Sequence, residues 1–294
     1  LLREKARASK GEGNRLLSAL HTIGTYPPDL SDPVFAQYPA MKFGGRDAVR
    51  HFAQALAPAA RRLIADSGGR AFVLTSPILQ GLPCGANRVC AALHAILVET
   101  LPDGVDLRLE TLDVRPPVPI HDAIEFEHYN EYSKQDLKTR RALHPDPAPD
   151  AACDDARFAA RNVVFVNDIN VTGTQMRWVS KLPHLARAAS LDWLLILNVE
   201  NDIGCRVPQL ESEINASSLA AQDAFTAFLR GSEFDCTGKL VARLLSYDAA
   251  TLRDIFRGLD AGKRRQLHQG ILAEGIYGTA LFREKLRAVE AAVG

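Results

Sequence analysis

Four consecutive apolar residues, Val163-Val164-Phe165-Val166, run directly into Asn167-Asp168-Ile169-Asn170-Val171-Thr172-Gly173-Thr174-Gln175. No other stretch of the chain restricts the fold as strongly. A half-exposed strand alternates apolar and polar side chains. An unbroken β-branched and aromatic run is instead a strand covered on both faces, the kind found in parallel sheets. This run ends in an acid, followed by a hydroxyl- and glycine-containing turn that opens a helix. Ligands of open α/β sheets bind just outside the carboxyl ends of the strands. A tight turn whose N–H groups converge suits a phosphate. Gly173 lets the backbone approach closely, Thr172 and Thr174 add hydroxyl donors, and Asp168 sits about one sugar ring away. A phosphosugar fits that pattern.

The rest of the sequence extends the same architecture. Val49, Phe52, Ala53, Leu56, Ala60, Leu63 and Ile64 recur at helical spacing until Gly68-Gly69 stop the run. Residues 71–75 form a short apolar strand that breaks at Ser76-Pro77. A loop with Gly81, Pro83 and Gly85 leads to a second helix, with Val89, Leu93, Ile96 and Leu97 on one face. Residues 105–114 alternate Val105, Leu107 and Leu109 against Asp106, Arg108 and Glu110, a half-exposed strand. The turn after Asp168 opens a helix expected from about Thr174 to Ala189, and residues 193–199 are another continuous apolar strand. Strands alternating with helices predict an α/β fold, a mostly parallel twisted sheet with helices on both faces.

Three regions follow. Residues 1–45, with Tyr26-Pro27-Pro28, Pro33 and Gly44-Gly45, read as an irregular N-terminal arm. Residues 46–215 are the α/β core, and within it residues 115–161 form a long loop of the kind that serves as a lid. Residues 216–294 are a C-terminal helical extension, marked by Phe225/Phe228/Leu229, Leu240/Leu244/Leu245, Leu252/Ile255/Phe256 and Leu281/Leu286/Val289.

Composition excludes several classes of function. The 35 Lys and Arg residues balance 35 Asp and Glu, so the basic excess of a general nucleic-acid binder is absent. Hydrophobic residues make up 47% of the chain, apolar surface enough to offset the entropy of folding. The best membrane candidates, residues 91–98 and 191–199, fall short of the roughly 18–20 residues of a span and contain His94 and Asp192. The opening residues are charged and lack the apolar stretch of a secretory signal. The chain begins with Leu1 rather than Met, so a few preceding residues are expected. Cys84, Cys90, Cys153, Cys205 and Cys236 include no CxxC pair and read as reduced thiols. These features predict a cytoplasmic protein with neither nucleic-acid nor membrane partners.

The 163–175 segment resembles the phosphoribosyl-pyrophosphate (PRPP) motif of type I phosphoribosyltransferases: four apolar residues, two acids, a few residues, then Thr-Gly-x-Thr. Residues 163–166 match the strand, Asp168 the second acid, Ile169 the following aliphatic and Thr172-Gly173 the phosphate turn. Asn167 departs at the first acid, keeping hydrogen bonds to ribose hydroxyls but losing a charge. Gln175 departs at the final hydroxyl, with Thr174 beside it. The segment from Glu211 to Asn215 and the helical tail also resemble a poorly characterised bacterial branch of that family.

The resemblance implies a Mg²⁺-dependent transfer of phosphoribosyl from PRPP to a small-molecule acceptor, expected to be a nitrogen heterocycle, with release of pyrophosphate. It implies the 5-phosphate on Val171, Thr172, Gly173, Thr174 and Gln175, and the ribose hydroxyls on Asp168 and Asn167. Mg²⁺ is expected at Asp168, and the pyrophosphate beside Thr75 and Ser76. The lid is expected to lend Lys134, Arg140 and Arg141 to the leaving group. Asp168, Asn167 and Lys134 are thus the expected catalytic residues, and a homodimer is common in the family.

Two other functions stay open: a PRPP- or nucleotide-sensing regulatory protein, which Asn167 favours, and a hydrolase of nucleotide glycosidic bonds. His121-Asp122, Glu125, Glu127-His128 and Glu131 form a ligand-type cluster, but their spacing fits no established metal pattern. Ser76 lacks the GxSxG context of a nucleophile elbow, and neither GxGxxG nor GxxxxGK[ST] occurs. Residues 101–160 carry 7 basic against 13 acidic residues. Phosphate recognition in the middle of the chain therefore falls to backbone amides, Mg²⁺ and basic side chains brought from elsewhere.

Overall fold

The computed structural model describes residues 20–25, 36–78, 81–113, 120–130, 135–142, 155–199 and 201–293. Five strands, β1 (Leu20–Thr25), β2 (Ala71–Ile78), β3 (Asp106–Asp113), β4 (Asn162–Asn170) and β5 (Ser190–Asn198), form one sheet in the order β1-β5-β4-β2-β3. Every pairing is parallel. Around the sheet run α1 (Tyr38–Lys42), α2 (Arg46–Asp66), α3 (Gly85–Thr100), α4 (Ala123–Asn130), α5 (Leu137–Ala142), α6 (Thr174–Val179), α7 (Asn201–Arg206) and α8 (Leu210–Ala216). A helical unit follows: α9 (Gln222–Gly231), α10 (Gly238–Leu245), α11 (Ala249–Arg257), α12 (Ala261–Glu274) and α13 (Arg283–Val293).

Alternation along the strands divides the core into two layers. Phe72, Leu74, Val164, Val166, Leu194 and Ile196 face α2 and α3, meeting Phe52, Leu56, Val89 and Leu93. Val73, Val163, Phe165, Trp193 and Leu195 face the other way, toward Trp178 and Val179 of α6. A third core inside the helical unit includes Phe225, Leu240, Leu244, Phe256 and Ile271, and it takes in Phe43 and Ile120 from outside the unit.

The structure departs from the sequence pattern at several places. Residues 20–25, read as part of the arm, are a sheet edge; His21, Thr22 and Thr25 interrupt any apolar period there. Strand β2 runs on through Ser76-Pro77 to Ile78, because its pairing with β4 ends at Thr75 while β3 continues alongside. The helix expected to reach Ala189 ends at Val179. Pro183 has no amide and holds Leu182 extended, so only a short 3-10 turn, Pro183–Leu185, follows. Helix α12 gave no signal because its exposed faces are strongly polar, and Leu267, Gly270 and Ile271 alone point inward with Glu274.

The 115–161 interval is not one open loop, since its described residues include α4 and α5. Ile120 N–H donates to the Ile276 carbonyl at 3.0 Å, and Thr279 Oγ1 donates to the Ile120 carbonyl at 2.6 Å. Phe126 meets Tyr277 and Phe282 edge-to-face. The helical unit therefore holds residues 120–126. Two residues of the ligand-type cluster act instead on the start of α4: Asp122 accepts from the Glu125 amide at 2.8 Å, and Glu125 accepts from the His121 amide at 2.7 Å. Residues 135–142 are held by Arg140, whose buried guanidinium pairs with Glu211 and donates to the Pro208 carbonyl at 2.8 Å.

No helix among the described residues is long and apolar enough to cross a membrane. Cys84, Cys90, Cys205 and Cys236 are unpaired, and Cys153 lies outside the described residues. Burial pushes the Cys236 thiol up to about 11.

Glu211→Gln leaves the Arg140 charge buried without its carboxylate. We expect a loss of about 3 kcal/mol, read as a lower urea midpoint at unchanged m-value. Asp248 and Asp260 cap α11 and α12, and hydrogen bonds from the Thr251 and Lys263 amides hold both carboxyls below their ordinary 3.8. Their contribution is present above that value and disappears as pH falls through the depressed one. Asp248→Ala should therefore lower the melting temperature at pH 7 and narrow its fall between neutral and strongly acid pH.

Candidate active site

The order β3-β2-β4-β5 makes the site. From β2 the chain passes through α3 to β3 on one side; from β4 it passes through α6 to β5 on the other. Right-handed crossovers in opposite directions put α3 and α6 on opposite faces. A crevice is left between the carboxyl ends of β2 and β4, the place where sheets of this kind bind ligands. Thr75 and Ser76 of β2 lie at this edge with residues 167–170 at the end of β4 and the turn that follows, although the two stretches are separate in sequence. Thr75 and Ser76 are buried, and neither hydroxyl has a hydrogen-bond partner.

Strand alternation sends Asn167 and Asp168 to opposite faces. Asn167 lies on the α6 side, where its Nδ2 donates to Gln175 Oε1 at 2.9 Å and to the Ile169 carbonyl at 3.1 Å. Asp168 lies on the α2–α3 side. Its Oδ1 accepts from the Ile169 amide at 2.8 Å, and its Oδ2 pairs with the ammonium of Lys42. Only 6% of Asp168 is exposed, so this pair is screened from water on most sides.

Lys42 is the last residue of α1, and α1 is clamped from two directions. A Cβ at Gly85 would lie 2.8 Å from both the carbonyl oxygen and the sulfur of Met41, so the start of α3 admits α1 only because that residue is glycine. From the helical unit, Thr237 Oγ1 donates to the Lys42 carbonyl at 3.1 Å, and the Asp235 amide donates to the Gly44 carbonyl at 2.9 Å. Burial works against the Lys42 charge, but Asp168 and then Glu211 more than offset it, and the ammonium is held above its ordinary range. It keeps its proton throughout neutral pH. Tyr38, one turn earlier, is on the same side of α1, and its hydroxyl is buried without a partner. Burial first, and then the charges of Asp168 and Glu211, keep this phenol protonated. Burial and Asp168 likewise raise the thiol of Cys84, at the N-cap of α3.

The turn at 171–174 is built from its own side chains. Gly173 takes φ +69°, a conformation other residues adopt at a cost. Its amide donates to Asn170 Oδ1 at 3.0 Å, and Asn170 Nδ2 donates to Asn198 Oδ1 at 2.7 Å. Thr172 Oγ1 donates to Thr174 Oγ1 at 2.8 Å. Helix α7 packs on the turn so closely that a Cβ at Gly204 would sit 1.8 Å from the Val171 carbonyl oxygen.

The other expected residues lie elsewhere. Arg140 is committed to Glu211, Pro208 and Gln135 rather than turned to the crevice. Arg141 is exposed on α5, and Lys134 lies outside the described residues. A resident divalent ion does not fit Asp168. One of its oxygens accepts a backbone amide and the other a lysine ammonium, Asn167 is on the opposite face, and no group of three His, Cys, Asp or Glu side chains gathers among the described residues. Lys42 and Tyr38 carried no signal in the sequence, because nothing local ties them to Asp168, which lies 126 residues after Lys42.

No protein-family model matches the chain, and no curated protein sequence does.

Gly173→Ala should cost about 1–2 kcal/mol from the backbone conformation alone. Gly204→Ala should cost more, since its Cβ must displace a backbone oxygen. Thermal melts of the two variants, ranked against wild type, check the order.

Proposed function

We propose that the protein transfers a phosphoribosyl group from PRPP to an acceptor nucleophile. The observation that carries this reading is the position of Asp168. The carboxylate of the PRPP-like segment lies at the switch point of the sheet, one short turn before Gly173, on the sheet face that Ser76 of β2 shares. A pentose phosphate spans that separation, with hydroxyls toward Asp168 and phosphate toward residues 171–175.

In the reaction the C1–O bond to pyrophosphate breaks, and its electron pair leaves with the pyrophosphate oxygen. Positive charge builds on C1 and the ring oxygen until the acceptor, a nitrogen heterocycle in the simplest case, supplies the electron pair of the new bond. Asp168 holds a ribose hydroxyl and stabilises that charge in a site sheltered from bulk water. Mg²⁺ enters with the substrate, as the counter-ion of its pyrophosphate.

Pyrophosphate release from PRPP in the presence of Mg²⁺, across purine, pyrimidine and other heterocyclic acceptors, tests the proposal. Asp168→Asn should lower kcat by about 10²-fold or more, measured on protein whose circular dichroism matches wild type, because the variant also leaves the Lys42 ammonium without its carboxylate. Full turnover in that variant removes Asp168 from the mechanism. A second reading, a PRPP- or nucleotide-sensing protein, is favoured by the amide at 167 and its engagement with Gln175. PRPP affinity without pyrophosphate release from any acceptor decides for it.

A further inference from the structure

A buried ion pair seldom stabilises a fold by itself, because removing both charges from water offsets most of their attraction. The Lys42–Asp168 pair lies at the carboxyl end of β4, at the switch point of the sheet, and the buried polar groups around it are incomplete. An ammonium has three N–H donors, and Lys42 commits one to Asp168. The Tyr38 hydroxyl, on the same side of α1, is 99% buried at the residue level and has no partner. Ser76 shares the sheet face of Phe72 and Leu74, the face to which Asp168 turns, and its buried hydroxyl is also unpartnered. Unmatched buried donors of this kind are costly unless something accepts from them. A ligand rich in oxygen acceptors, anionic and hydroxylated, matches all three.

We propose that Lys42, with Tyr38, contacts the phosphoribosyl ligand directly and is the resident cation of the site, standing where a protein-held divalent ion was expected at Asp168. The proposal rests on the phosphoribosyl reading and deepens it. Lys42 bridges the Asp168 carboxylate and the ligand oxygens, so the sugar phosphate binds without metal, and the divalent requirement is confined to pyrophosphate. Helix α1, from the segment before the core, is thereby part of the binding machinery.

Titration calorimetry with ribose 5-phosphate, a probe that lacks pyrophosphate, separates the possibilities. Wild-type protein should bind it in EDTA, and added Mg²⁺ should change Kd by less than about threefold. Lys42→Met should weaken binding in EDTA by about tenfold or more, with Lys42→Arg restoring most of it. Tyr38→Phe keeps the ring and removes only an unpartnered hydroxyl, so its melting temperature should hold or rise while binding weakens about fivefold. That variant carries the test even if Lys42→Met does not fold. Strict dependence on Mg²⁺ in wild type, or wild-type affinity in folded Lys42→Met or in Tyr38→Phe, overturns the assignment and leaves the phosphoribosyl reading standing. Absence of ribose 5-phosphate binding in wild type, with and without Mg²⁺, overturns that reading as well.

Discussion

Bringing a lysine ammonium and an aspartate carboxylate out of water together is tolerated only where the geometry is held tightly from both sides. The Lys42–Asp168 pair meets that condition because each partner is fixed by a different part of the chain. Asp168 is placed by β4, a strand paired on both edges and covered on both faces. Lys42 is placed by α1, pressed against Gly85 at the start of α3 and tied to residues 235–237 of the helical unit. Much of the remaining architecture serves to bring these two together. The crossovers leave a crevice at the end of β4, the glycine at 85 lets α1 descend into it, and the C-terminal helices keep α1 there.

The helical unit is accordingly more than an appendage. Its core takes in Phe43, which follows Lys42 directly, and Ile120, from the 115–161 interval expected to be a lid. It also reaches the loop after β2: Glu274 accepts the Leu82 amide at 2.6 Å, and a Cβ at Gly81 would lie 2.6 Å from backbone oxygens of α12. Three segments, α1, residues 81–82 after β2 and residues 120–126, are thus braced by one body. The boundary near 216 divides the chain by secondary structure but not by packing.

Much of the α/β core was legible from local pattern. Val163-Val164-Phe165-Val166 had to be a buried parallel strand, and the alternation around Leu107 had to be a half-exposed one; they became a central strand and a sheet edge. The glycine stops, the long α2 and the amphipathic C-terminal helices were equally plain. Strand β1 was hidden, because an edge strand half open to water needs no apolar period. Helix α12 was hidden because a helix held by only a few inward residues shows little amphipathic contrast. The acidic balance of residues 101–160 pointed to Mg²⁺, backbone amides and basic side chains from elsewhere for phosphate recognition, and it named no residue outside the 115–161 interval.

The sequence by itself determined the strand, the acid and the glycine turn of the 163–175 segment, since each depends on the conformational preferences of neighbouring residues. It also put an amide, Asn167, where the first of two acids was expected. Only the tertiary structure decided that Asn167 and Asp168 face opposite sides of the sheet, because β alternation carries functional meaning only once the covering helices are placed. Only the tertiary structure gave Asp168 its partner. Lys42 lies 126 residues earlier, and a pairing over that distance is set by how α1 packs between the core and the helical unit, information that no local pattern contains.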